Sequence, residues 1–95
     1  MLALTLGSTV ASAQAVTVKE EKAGMLKSAK ITPAAATATA LAKVPGGTVQ
    51  SAEIEKEDGK LVYSFDIKVA GKSGIEEVLV DAMTGAVVGV EHDDA

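Results

Sequence analysis

The chain has 95 residues, a formal net charge of −4, and neither cysteine nor arginine. This length allows one small domain, and the lack of cysteine excludes disulfides and thiol chemistry. Arginine is the preferred donor for phosphate and guanine recognition, so the composition argues against binding to nucleic acid or to an anionic membrane surface.

The first 13 residues are uncharged and largely apolar, and they end in Ala11-Ser12-Ala13. This pattern is typical of a secretory signal peptide with an A-x-A cleavage site, and it predicts cleavage before Gln14. The basic start of such a leader is missing, which we interpret as a start site placed inside the true leader. A buried N-terminal strand or helix is the alternative. We therefore expect an exported protein, periplasmic or secreted, with no membrane span in the mature chain.

Residues 14–29 predict an arm or a short helix, because the segment is mixed in character and rich in charge. A clearer helix follows, since Thr32 can cap it and Pro33 suits its first position. Alanine, the best helix former, dominates the next ten residues. Pro45 and Gly46 then end this helix.

Four strands are predicted after the helix, because apolar and polar residues alternate in short segments between turn residues. They cover residues 51–57, 61–69, 75–82 and 86–91. Asp58-Gly59 favours a tight hairpin turn, and the odd-numbered residues of the second strand, including Tyr63 and Phe65, are predicted to form the core. Because the loops are short, the strands should be antiparallel neighbours. The predicted fold class is α+β, with an N-terminal helix on one face of a four-stranded antiparallel meander.

The last predicted hairpin turn contains Asp81, Thr84 and Gly85. The Asp81 carboxylate can accept hydrogen bonds from turn amides, and Gly85 can adopt a positive φ at low steric cost. The polar end of the chain from His92 onward is predicted to fray, with residues 93–95 as a tail.

Candidate partner-binding residues share the sheet face opposite the predicted core: Glu53, Glu55, Ser64, Asp66 and Lys68. Glu57 continues the spacing by two of Glu53 and Glu55 along the first predicted strand. General acid–base catalysis would need a desolvated carboxyl, and no apolar pocket is predicted beside them. We interpret the carboxylates as a solvated face that also discourages edge pairing of the strand, with a docking stripe for a basic partner as the alternative.

The only cluster with metal-ligand chemistry lies at the C-terminal end: Glu91, His92, Asp93 and Asp94. Consecutive residues on a flexible tail are not preorganised, so we favour a solvating tail and predict no cofactor. A Ser-His-Asp arrangement is not predicted either, because the single histidine lies far along the chain from Ser64 and Ser73. The loop at residues 71–74 lacks the upstream glycine of a phosphate-binding loop.

Several of these segments, taken in order, resemble the PepSY family. They are Ala29-Lys30-Ile31-Thr32-Pro33 before the alanine-rich helix, Val44-Pro45-Gly46-Gly47, the segment from Ile54 to Tyr63, and Val80-Asp81-Ala82-Met83-Thr84-Gly85-Ala86-Val87. The resemblance covers Lys30 to Glu91, and we place a PepSY-like domain at residues 30–92. The third strand departs from it, because Ile75-Glu76-Glu77 stands where many members carry aromatic residues.

The resemblance implies a small exported module. Because the family also occurs in propeptides of secreted zinc metallopeptidases, it further implies a role in restraining peptidases. This chain has no H-E-x-x-H motif, so the peptidase would be a separate protein. We predict a non-catalytic exported protein-binding module that regulates or inhibits a peptidase of the cell envelope. A small ligand- or metal-ion-binding sensor or buffer is the alternative, and the oligomeric state stays open.

Overall fold

A computed structural model describes residues 16–94 as a five-stranded sheet with two helices. The elements in chain order are β1 (Val18–Glu20), α1 (Met25–Ser28), α2 (Pro33–Lys43), β2 (Gly47–Glu57), β3 (Lys60–Val69), β4 (Ile75–Asp81) and β5 (Val87–Asp93). The predicted signal peptide lies outside the described residues. Within them, no helix combines the length and the apolar character needed to cross a membrane.

The strands lie side by side in chain order, and β2 to β5 form an antiparallel meander. The α+β class is confirmed, but the expectation of four strands, all antiparallel, is wrong because β1 pairs in parallel with β2. β1 is held by contacts distant in sequence: the Glu21 amide donates to the Ile54 carbonyl at 2.9 Å, and the Glu21 carboxylate accepts from the Lys56 amide at 3.1 Å. Because these partners are distant in the sequence, the charged segment that forms β1 shows no local strand pattern.

The longer helix, α2, covers one side of the sheet, which we call the front face. Thr32 caps the helix by accepting a hydrogen bond from the Ala35 amide at 3.1 Å, and Pro33 is its first residue. Ala36 and Ala40 are fully buried. Because methyl side chains take little space, α2 can lie close to β2, β3 and β4.

The core between α2 and the sheet centres on Tyr63 and Phe65, whose stacked rings are 6.0 Å apart. The Tyr63 hydroxyl donates to the Ile31 carbonyl, which ties the segment before α2 to β3. Val62, on the opposite side of β3, is also buried. The alternation of β3 predicted the odd-numbered core but not this second buried position.

Two tight turns carry the backbone geometry that their sequences favour. Asp58 and Gly59 both adopt positive φ, at 50° and 81°, as a two-residue hairpin turn of type I′ requires. In the β4–β5 turn, one Asp81 carboxylate oxygen accepts from the Met83 and Thr84 amides at 2.8 and 3.1 Å. The Gly85 amide donates to the Asp81 carbonyl at 2.8 Å, which closes this turn.

The expectation that the chain frays from His92 is wrong, because β5 continues to Asp93. In this register His92 lies opposite Glu76 of β4, and their side chains form a hydrogen bond. β2 is also longer than predicted: it begins at Gly47, with an irregular register between Val49 and Ser51.

Candidate functional site

The face of the sheet opposite α2, which we call the back face, carries most of the predicted partner-binding residues. Strand register sets Glu53 directly across from Ser64, and Asp66 directly across from Glu77. Glu77 in turn lies across from Glu91. Period-two spacing along each strand therefore brings carboxylates from neighbouring strands together on one surface.

A groove of about 300 Å³ runs across this surface, and we call it the acidic groove. It is lined by Lys19, Ser51, Ala52, Glu53, Glu55, Ser64, Asp66 and Glu77. Four of the five predicted partner-binding residues line it. Sequence reasoning missed Glu77 and Lys19, because their positions depend on the pairing of β4 with β3 and of β1 with β2.

Ser64 is buried rather than exposed, contrary to the solvated face that the alternation predicted. Its hydroxyl donates to a Glu77 carboxylate oxygen at 2.9 Å, and the Ser51 hydroxyl donates to Asp66 at 3.2 Å. These hydroxyls fix the directions of two carboxylates in the groove. Ser64 therefore stabilises the groove by orienting the Glu77 carboxylate, and it offers little exposed surface for contact with a partner.

Lys68 does not line the acidic groove. Its ammonium group donates to the carbonyls of Lys72 and Gly74, in the loop between β3 and β4. The lysine thus satisfies loop carbonyls and leaves the groove carboxylates without its charge. Lys68 therefore stabilises the loop between β3 and β4.

Glu55 has the most perturbed carboxyl of the stripe. Partial burial raises its pKa from 4.5 to about 7, aided by a hydrogen bond with the Glu57 carboxyl and by the negative charges of Glu53 and Glu57. Because these three acidic side chains are spaced by two along one face of the strand, they lie close together and their negative charges repel one another. A cation from a partner would relieve this repulsion.

The four C-terminal metal candidates do not converge on one point. β5 directs Glu91 and Asp93 to the back face, because they pair with Glu77 and Ile75, whereas His92 faces the front. The two imidazole nitrogens of His92 contact the carboxylates of Glu76 and Asp94. Within residues 16–94, no group of three or more histidine, cysteine, aspartate or glutamate side chains is arranged to hold a metal ion.

No Ser-His pair forms between Ser64 and His92, because the two side chains lie on opposite faces of the sheet. A second cleft, of about 430 Å³, lies between α1 and the hairpin turns, with Met25, Leu61 and Met83 among its lining residues. It holds none of the predicted partner-binding residues. The acidic groove therefore remains the candidate site.

The comparison with family models covers the part of the chain that carries this site. Residues 30–91 match the model of the PepSY family, described as peptidase propeptide and YPEB domain. The chain belongs to the PepSY family. None of the curated proteins and none of the solved structures compared with the chain matches it. In this PepSY domain, β2, β3 and β4, which carry the groove carboxylates, all lie within the matched range.

Proposed function

We propose that this protein is a non-catalytic, exported binding module that regulates or inhibits a separate peptidase of the cell envelope. The observation that carries the proposal is the acidic groove on the back face of a PepSY domain. Its carboxylates from Glu53, Glu55, Asp66 and Glu77 form one surface, and complementary charge on a partner favours fast and oriented association.

Export is part of the same proposal. The PepSY family description refers to peptidase propeptides, and the first 13 residues have the composition of a secretory leader. A regulator of this kind needs a rigid surface and no nucleophile. The hydroxyl-to-carboxylate hydrogen bonds of Ser64 and Ser51 supply such rigidity at the groove.

Among residues 16–94, no arrangement of side chains supports the metal-ion sensor or buffer beyond the acidic composition. Its motivation was the cluster from Glu91 to Asp94, and β5 divides that cluster between two faces of the sheet. Calorimetric titration with calcium, zinc and copper is the direct check on this alternative. Heat of binding at micromolar ion would restore it.

The test of the proposal uses the intact chain and an envelope extract from the same cells. We expect the protein to lower proteolysis of a casein substrate by the extract and to capture a peptidase. Glu53→Gln combined with Glu55→Gln should weaken this effect severalfold, because each lost charge pair contributes a fraction of a kcal/mol up to about 1 kcal/mol.

The matched control is Glu76→Gln, which removes a carboxylate from the front face. It should leave inhibition unchanged. The proposal would be rejected by unaltered proteolysis at saturating protein, or by equal losses in the double variant and in the control.

A further inference from the structure

β5 forms one edge of the sheet, and no described strand pairs with its outer side. Unpaired backbone groups on an edge are a template for another strand. The opposite edge, β1, spans three residues and is flanked by the long-range contacts of Glu21. β5 spans seven residues, so it is the edge long enough to accept an added strand.

Two valines of β5 are unusually exposed for large apolar side chains. Val90 faces the front, opposite buried Val78, and is 48% exposed because α2 packs over β2 to β4. Val88 is 46% exposed, and it borders a back-face recess of about 320 Å³ whose lining combines Val62 and Leu79 with the charged residues Glu57, Asp58 and Lys60. An added strand with aliphatic side chains would cover apolar surface that the fold leaves in water.

The charge of this edge decides which strand fits it. The last of the nine lysines is Lys72, and the sequence after it contains six carboxylates and one histidine. On the back face, Asp66, Glu77 and Glu91 lie across from one another on three successive strands, and the row ends at β5. Like charges directly opposite are destabilising, so a cation is the favoured neighbour of Glu91 on the next strand.

We propose that the β5 edge binds an extended basic segment of a partner protein, which adds a sixth strand to the sheet. Lysine or arginine of that segment lies beside Glu91, and an aliphatic residue lies beside Val90. The inference rests on the proposed function, because it names the chemistry that the partner presents to this module. A second copy of the chain fits poorly, since its own β5 would bring further carboxylates and no lysine to the edge.

The test titrates the isotope-labelled full chain with two six-residue peptides, one alternating valine and lysine and the other alternating valine and glutamate. The basic peptide should shift and protect the amides of residues 87–93. It should bind at least about fivefold more tightly than the acidic peptide, and added salt should reduce the difference.

Charge-reversal variants test whether Glu91 determines the preference for the basic peptide. Glu91→Lys should reverse the preference between the two peptides. Glu20→Lys is the matched control, because it reverses an exposed carboxylate on β1, at the opposite edge of the sheet. The control should keep the preference for the basic peptide.

Several outcomes would overturn the proposal. They are no binding at millimolar peptide, equal affinity for both peptides, or shifts centred on Glu53 and Glu55. Concentration-dependent dimerisation that protects β5 in the absence of peptide would assign the edge to a second copy. If the basic peptide binds β5 while the intact protein leaves envelope peptidases unaffected, strand binding at β5 is supported and the proposed regulation of a peptidase is rejected.

Discussion

At the scale of single residues, His92 shows how pairing of the last two strands creates a titratable contact. Hydrogen bonds to Glu76 first, and to Asp94 second, raise the pKa of the imidazole above 6.5. Both ring nitrogens face carboxylates, so the doubly protonated ring satisfies both. The stabilisation is therefore complete below pH 6.5 and is lost as the pH rises through the elevated pKa.

An NMR titration of the His92 ring checks this contact. The imidazole should titrate above its ordinary range in the wild type, and Glu76→Gln should return it toward 6.5, because the strongest acceptor loses its charge. Glu77→Gln is the matched control, since the neighbouring carboxylate points to the opposite face. Similar titration of His92 in the wild type and in both variants would contradict the contact.

The candidate site was only partly predictable from individual residues. Spacing by two on one strand is enough to place Glu53 and Glu55 together. By contrast, Glu77 joins the groove through the register of β4 against β3, and the loop carbonyls of Lys72 and Gly74 engage Lys68. Register and loop closure depend on contacts that alternation does not encode.

At the scale of elements, α2 depends on the small size of its buried residues. Ala36 and Ala40 have no exposed surface, and the Thr37 hydroxyl satisfies the Pro33 carbonyl at 2.8 Å. The fully buried positions of the helix thus carry only methyl groups and one internally bonded hydroxyl, and Leu41 packs beside them while partly buried. Close approach leaves no space for a longer side chain.

Ala40→Leu should therefore destabilise the protein by about 1–3 kcal/mol, because the added carbons must displace core side chains. Ala38→Leu adds the same atoms at an exposed position of the same helix, and it should change stability by no more than about 0.5 kcal/mol. Urea denaturation followed by circular dichroism measures both. Equal stability of the two variants would contradict close packing of α2.

The elements differed in how far the sequence predicted them. α2 and the strands β2 to β5 have strong local signals, such as the Thr32 cap, the alternation of β3 and the Asp58-Gly59 turn. β1 has none, since Val18-Lys19-Glu20 is short and mostly charged. It forms because β2 offers a free edge, and a three-residue strand is specified by its partner more than by its own residues.

At the scale of the whole molecule, acidic crowding makes stability depend on pH. The folded-state pKa of Glu55 is about 7, above its ordinary 4.5, so this residue favours folding fully below pH 4.5 and less as the pH rises through 7. His92 acts in the same direction. Asp81 acts oppositely, because the turn amides of Met83 and Thr84 lower its pKa, and its contribution is lost only in acid.

We expect the midpoint of urea unfolding to rise when the pH is lowered from 8 to 5. Glu55→Gln should be more stable than the wild type at pH 8, since it removes a crowded charge, and its midpoint should depend less on pH. Glu91→Gln removes an exposed carboxylate outside the Glu53–Glu57 row, and it should retain the wild-type slope. A wild-type slope in Glu55→Gln would contradict crowding at this carboxyl.

The uneven distribution of lysine also determines which reagents can detect a complex. Trypsin finds no site after Lys72, so β4 and β5 stay in one peptide, and amine-reactive cross-linkers have no side-chain target there. A carbodiimide behaves differently, because it activates carboxylates and joins them to amines in contact. When β5 binds a strand that carries lysine, the carbodiimide would join the Glu91 carboxylate to the amine of that lysine through an amide bond. A carboxylate-directed reagent thus suits this edge better than the usual amine chemistry.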